Sequence, residues 1–87
     1  MNTARILVVD DSRLAQKMIR DRLESAGYAV VTASSGEEAL AWLQREVPDL
    51  VISDVVMPGI DGYELCRRMR KQPRLANVPV ILLTARG

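Results

Sequence analysis

The sequence contains no phenylalanine, one tryptophan (Trp42) and two tyrosines (Tyr28 and Tyr63) in 87 residues. An aromatic core is therefore excluded, and the interior must be built from Val, Leu, Ile, Met and Ala. The single cysteine, Cys66, cannot form an internal disulfide, which fits a reducing compartment. The formal net charge is only +1, so global electrostatics point neither to nucleic acid nor to a membrane. No apolar stretch approaches the roughly 18 residues that a membrane span requires. Met1-Asn2-Thr3-Ala4-Arg5 carries no signal-peptide pattern. These absences define one small domain over residues 1–87, soluble and cytoplasmic by default. A chain of this length buries a modest share of its surface, so marginal stability is expected.

What is present alternates between strand-like and helix-like segments. Ile6-Leu7-Val8-Val9 is a continuous apolar run, the pattern of a strand buried on both faces. Asp10-Asp11-Ser12 then offers helix caps, and Leu14, Ala15, Met18, Ile19, Leu23 and Ala26 recur at helical spacing before the glycine stop at Gly27. Ala29–Ala33 reads as a second strand. Ser35 and Glu38 have capping-box spacing and open a second helix, with Ala39, Leu40, Leu43 and Val47 inward and Pro48-Asp49 as its stop. Leu50–Ser53 is a third buried strand ending at Asp54. After a loop through Ile60, Asp61 and Glu64 form a second capping-box pair, opening a helix to about Lys71. Val80–Thr84 is a fourth apolar strand. The order βαβαβαβ predicts an α/β domain, a parallel sheet with helices on both faces.

In a parallel sheet the segments following each strand meet at one edge, where open α/β sheets bind ligands. Asp10 and Asp11 follow strand one, Asp54 ends strand three and Thr84 ends strand four. Three crowded carboxylates repel one another, and a divalent cation with a preference for oxygen ligands, such as Mg²⁺, relieves that conflict. With Asp54 as nucleophile and the Thr84 hydroxyl as donor, the set suits phosphoryl transfer to a carboxylate. Each residue also has an ordinary reading: Asp10, Asp11 or Ser12 as a helix cap, Asp54 as a turn residue, Thr84 as a β-former. Their coincidence at the same ends of neighbouring strands favours the site.

Three motifs carry a family resemblance. Ile6–Ser12, with its acidic pair, resembles the opening strand of response regulator receiver domains from two-component signalling. Asp54-Val55-Val56-Met57-Pro58-Gly59-Ile60-Asp61-Gly62 resembles their phosphorylation loop, and Val80–Ala85 their fourth strand with its switch hydroxyl. The resemblance runs from about Ala4 to the last residue. It implies a flavodoxin-like fold in which Asp54 accepts phosphate from a histidine kinase or phosphotransfer protein. Asp10, Asp11, Asp54 and the backbone carbonyl of Val56 would hold Mg²⁺, with Mn²⁺ as a substitute. Thr84 would bond the phosphoryl group, and Ala85 beside it would leave room.

The family pattern also implies a fifth strand and two further helices, which this chain lacks. With them go a phosphate-binding lysine and an aromatic switch residue. The two lysines here, Lys17 and Lys71, both fall in expected helices. Impaired activity is expected, amounting at most to slow self-phosphorylation from small donors and self-dephosphorylation rather than enzyme turnover. The alternative is an assembly module that works without phosphorylation. Strand four would be an uncovered apolar edge, so self-association through it and the sheet faces is expected. Arg67, Arg68, Arg70, Lys71 and Arg74 form a basic stretch, read as a solvated helix face in preference to a docking patch. Cys66 is read as packed.

Overall fold

The computed structural model describes residues 3–83. Their elements are β1 (Arg5–Val9), α1 (Arg13–Ser25), β2 (Ala29–Ala33), α2 (Gly36–Leu43), β3 (Leu50–Asp54), α3 (Gly62–Arg70) and β4 (Val80–Leu83). The four strands form one sheet in the order β2-β1-β3-β4, and every neighbouring pair is parallel. The expected α/β architecture is present, with helices on both faces.

The apolar run of β1 explains its central place. Ile6, Leu7, Val8 and Val9 are at most 3% exposed, so both faces of this strand must be covered. Successive side chains point to opposite faces of a sheet. Leu7 and Val9 join Val51, Ala39, Leu43, Leu65 and Met69 in the core beneath α2 and α3. Ile6 and Val8 face the other way, beneath α1, which packs on β1 and β2.

The expectations for α1 and α2 need correction. The helical spacing of α1 did mark an inner arc, but Leu14 and Met18 are 68% and 54% exposed and Ala26 is exposed too. The residue buried in α1 is Gln16. Arg13, Lys17 and Arg20 line a groove with Thr32 of β2. Strand four is exposed on one face, as expected of an uncovered edge: Ile81 and Leu83 are 47% and 42% exposed, whereas Val80 packs against the core. The second helix ends at Leu43, and Val47 is exposed. Arg74 donates to Leu43 O, at the end of the helix, at 2.9 Å and to Glu46 O beyond it at 3.4 Å.

Both capping boxes are half made. Ser35 accepts from Glu38 N at 3.0 Å, but the Glu38 carboxylate accepts from Ser34 N instead of the cap's own amide. Asp61 accepts from Glu64 N at 2.8 Å, while Glu64 turns to Arg67 and Arg68. The basic stretch is mostly engaged within the fold. Arg70 donates to the carbonyls of Leu75, Ala76 and Val78.

Candidate functional site

The parallel sheet brings the carboxyl ends of β1 and β3 to the same edge. Val9 is in register with Ser53, so the residues that follow, Asp10 and Asp54, stand side by side. Asp11 comes with Asp10. The three carboxylates each place an oxygen within 4.8 Å of the others, which is the juxtaposition expected from the sequence.

Local hydrogen bonds separate the roles of these acids. The helix cap is Ser12, whose Oγ accepts from Ala15 N at 3.2 Å. Asp11 therefore does not cap α1, and it is exposed. Asp10 is 9% exposed, and its Oδ1 accepts from Ser12 N at 2.9 Å. Burial raises the Asp10 pKa above the ordinary carboxylate value; the Ser12 amide opposes this, and the charges of Asp54 and Asp11 add to it. The cluster thus brings three carboxylates together in an all-oxygen donor set. That chemistry fits a hard divalent cation.

The loop after Asp54 is tied down at several points. Val55 N donates to Leu83 O at 3.0 Å, and Gly62 N to Val55 O at 2.9 Å. Met57 is buried, whereas the side chain of Val56 is 73% exposed. Ile60 N donates to Glu37 Oε2 at 3.3 Å, linking the loop to the first turn of α2. Gly59 adopts a φ of 73°, in the left-handed region that favours glycine. Thr84 and Ala85 lie outside the described residues.

Sequence reasoning missed Gln16. Its Nε2 donates to Asp10 O at 2.6 Å, Ser34 Oγ at 3.0 Å and Ala33 O at 3.4 Å. The available signal was a polar residue between Ala15 and Ile19 on the inner arc of α1. The groove beside it, about 250 Å³, is lined by Arg13, Gln16, Lys17, Arg20 and Thr32 and includes none of the clustered acids.

A parallel α/β sheet with an acidic cluster at its carboxyl edge defines a class: small flavodoxin-like domains that bind at the strand ends. Within that class the chain belongs to the response regulator receiver domain family, whose family model matches residues 6–87. It is 47% identical over 87 residues to a probable transcriptional regulator of Cyanophora paradoxa, covering 100% of this chain and 35% of that protein. Chemotaxis response regulator CheY4 of Vibrio cholerae superposes with a TM-score of 0.94 at 40% identity, covering 99% of this chain and 72% of that one. Response regulator TrrA of Thermotoga maritima, solved in complex with Mg(2+)-BeF, superposes at 0.90 with 41% identity, covering 98% and 72%. The chain spans between 18% and 37% of the length of the curated relatives it matches.

Proposed function

We propose that this receiver domain takes a phosphoryl group onto Asp54 from the phosphohistidine of a sensor histidine kinase or phosphotransfer protein, in a Mg²⁺-dependent reaction. The observation that carries this reading is the convergence of Asp10, Asp11 and Asp54 within 4.8 Å at the sheet edge. Asp10, Asp11 and Asp54 would hold the cation, with the Val56 carbonyl completing the protein's share; Mn²⁺ would substitute. Bound there, the cation would supply positive charge to offset the negative charge on the phosphoryl oxygens. A carboxylate oxygen of Asp54 attacks phosphorus, the new O–P bond forms as the N–P bond breaks, and the imidazole nitrogen keeps the electron pair. Thr84 would donate its hydroxyl to the transferred group.

The domain's own chemistry in this reading stops at self-phosphorylation from small donors and hydrolysis of the acyl phosphate. Intact-mass measurement after incubation with acetyl phosphate and Mg²⁺ tests it. One added phosphoryl group, absent from Asp54→Asn and lost with chelator, is expected. Full labelling of Asp54→Asn would overturn the assignment.

A second reading, self-association that does not need phosphate, is favoured by one further observation. Leu14, Met18, Ile81 and Leu83 are all exposed, on the α1 side of the sheet. Apolar surface of that kind favours a partner, and a second copy would cover it by two-fold pairing. Sedimentation at micromolar concentration is expected to show a dimer that dissociates in Ile81→Lys. A monomeric parent protein would remove this reading. Direct binding to nucleic acid is not proposed: Arg70 and Arg74 are engaged by backbone carbonyls. Among the described residues no helix is long and apolar enough to cross a membrane.

A further inference from the structure

Gln16 stands out because nothing about core packing requires it. It sits on the buried arc of α1 at 9% exposed, where an apolar side chain would be less costly. A buried amide is tolerated only when its hydrogen-bonding groups are met. Its Nε2 meets three acceptors, all at the carboxyl ends of β1 and β2: Asp10 O, Ser34 Oγ and Ala33 O.

The shortest of these contacts falls at a particular place. The ladder pairs of β1 end at Val9, so the Asp10 carbonyl lies just past the paired part of the strand. Asp10 N is held by Ala33 O at 3.0 Å, and the Asp10 carboxylate by Ser12 N. The amide of Gln16 holds the remaining polar group of Asp10, its carbonyl, at 2.6 Å. The peptide so held is the one joining Asp10 to Asp11, and its orientation sets where both carboxylates project. The same side chain anchors the start of the β2–α2 connection through Ser34.

We propose that Gln16 is a positioning residue for the acidic site: by clamping the Asp10–Asp11 peptide to the end of β2, it sets the two carboxylates for a divalent cation. This rests on the reading that Asp10, Asp11 and Asp54 hold Mg²⁺. Gln16 itself would not touch the ion. It acts on the ligands as an outer hydrogen-bond partner does in other metal sites, where removing the partner weakens binding by roughly 10-fold or more.

The experiment is an NMR titration of the ¹⁵N-labelled protein with MgCl₂, comparing the parent with Gln16→Met, which keeps the side chain's length and loses its donors. Lys17→Met, on the outer face of the same helix, is the control. The expected result is a rise of roughly 10-fold in Kd for Gln16→Met and an unchanged Kd for Lys17→Met. A merely structural role would lower the thermal midpoint of Gln16→Met and leave the Kd of the folded protein at the parental value; that outcome overturns the proposal. In the parent protein the Gln16 side-chain amide resonances must also shift with the same midpoint as the Asp11 backbone amide. This arm decides the matter if Gln16→Met does not fold, and unmoved resonances overturn the proposal. Absence of any Mg²⁺ response in the parent would instead remove the metal reading, and the positioning role with it.

Discussion

The backbone carbonyl oxygen of Asp54 occupies the space that a β-carbon on Gly62 would need. The α-carbon of Val55 crowds the same position, and Gly62 N is already bonded to Val55 O. The start of α3 is thereby pressed against the end of β3. Gly62→Ala must push that backbone aside, at a cost of roughly 1–3 kcal/mol by the usual scale of overpacking. Urea unfolding is expected to show the loss. Because Asp54 is what moves, the Mg²⁺ affinity of the folded variant is expected to fall as well.

Asp10 carries an electrostatic cost in the metal-free protein. Its folded pKa lies above the ordinary value of 3.8, so the folded chain holds the proton more tightly than the unfolded chain. The stability this contributes is present below that ordinary value and is lost as pH rises through the raised folded pKa. Asp10→Asn removes the charge and keeps an acceptor for Ser12 N. Without metal, the variant is expected to unfold at a higher temperature than the parent at pH 7, with the advantage shrinking toward acid. Millimolar Mg²⁺ should raise the parent's midpoint and leave the variant's unchanged. A parent that is the more stable of the two in EDTA at pH 7 would contradict this account.

The arginines of the basic stretch divide by partner. Arg70 gathers three carbonyls of the α3–β4 connection, and Arg74 ties that connection to the end of α2. Arg67 and Arg68 pair with Glu64 at the surface, an arrangement that contributes little to stability. Arg70→Ala is expected to cost about 1–2 kcal/mol, on the scale of hydrogen bonds from a charged donor. Arg67→Ala should leave the unfolding midpoint unchanged. Equal losses from the two substitutions would show that the carbonyl contacts do not stabilise the connection.

Two leucines, one in β1 and one in α1, should behave oppositely. Leu7 is fully buried and Leu14 is 68% exposed. Leu7→Ala leaves a cavity and is expected to cost about 2–5 kcal/mol, a large fraction of what a domain of this size has. Leu14→Ala should leave unfolding by urea close to parental while weakening self-association in sedimentation.

Much of this was legible in the sequence because central strands, covered wholly as in β1 or partly as in β3, read as uninterrupted apolar runs. Ile6–Val9 and Leu50–Ile52 gave their positions directly, and with strand direction came the meeting of Asp10, Asp11 and Asp54. Helical periodicity carried less. It marks a stripe of apolar residues but does not say whether anything covers it, and Leu14 and Met18 show the difference. The last carbonyl of α2 is taken by Arg74, 31 positions away, and no local pattern reports such a contact. The capping boxes failed at their second half because Glu64 had competing cations within its own helix and Glu38 took the Ser34 amide. Gln16 was passed over because apolar periodicity gives no weight to a polar residue on the inner arc.

The pairing of β1 with both β2 and β3 has a kinetic consequence. Ile6 meets Val30 on one side and Leu50 on the other, so the pairing with β2 closes a shorter loop than the pairing with β3. The shorter closure costs less chain entropy, and a partly folded chain with β1, α1 and β2 in place already holds Asp10 and Asp11 close together. The third carboxylate arrives only with the longer closure. The acidic cluster is therefore complete only once β3 has paired with β1, and the mutual repulsion of its charges opposes that pairing and not the pairing of β1 with β2.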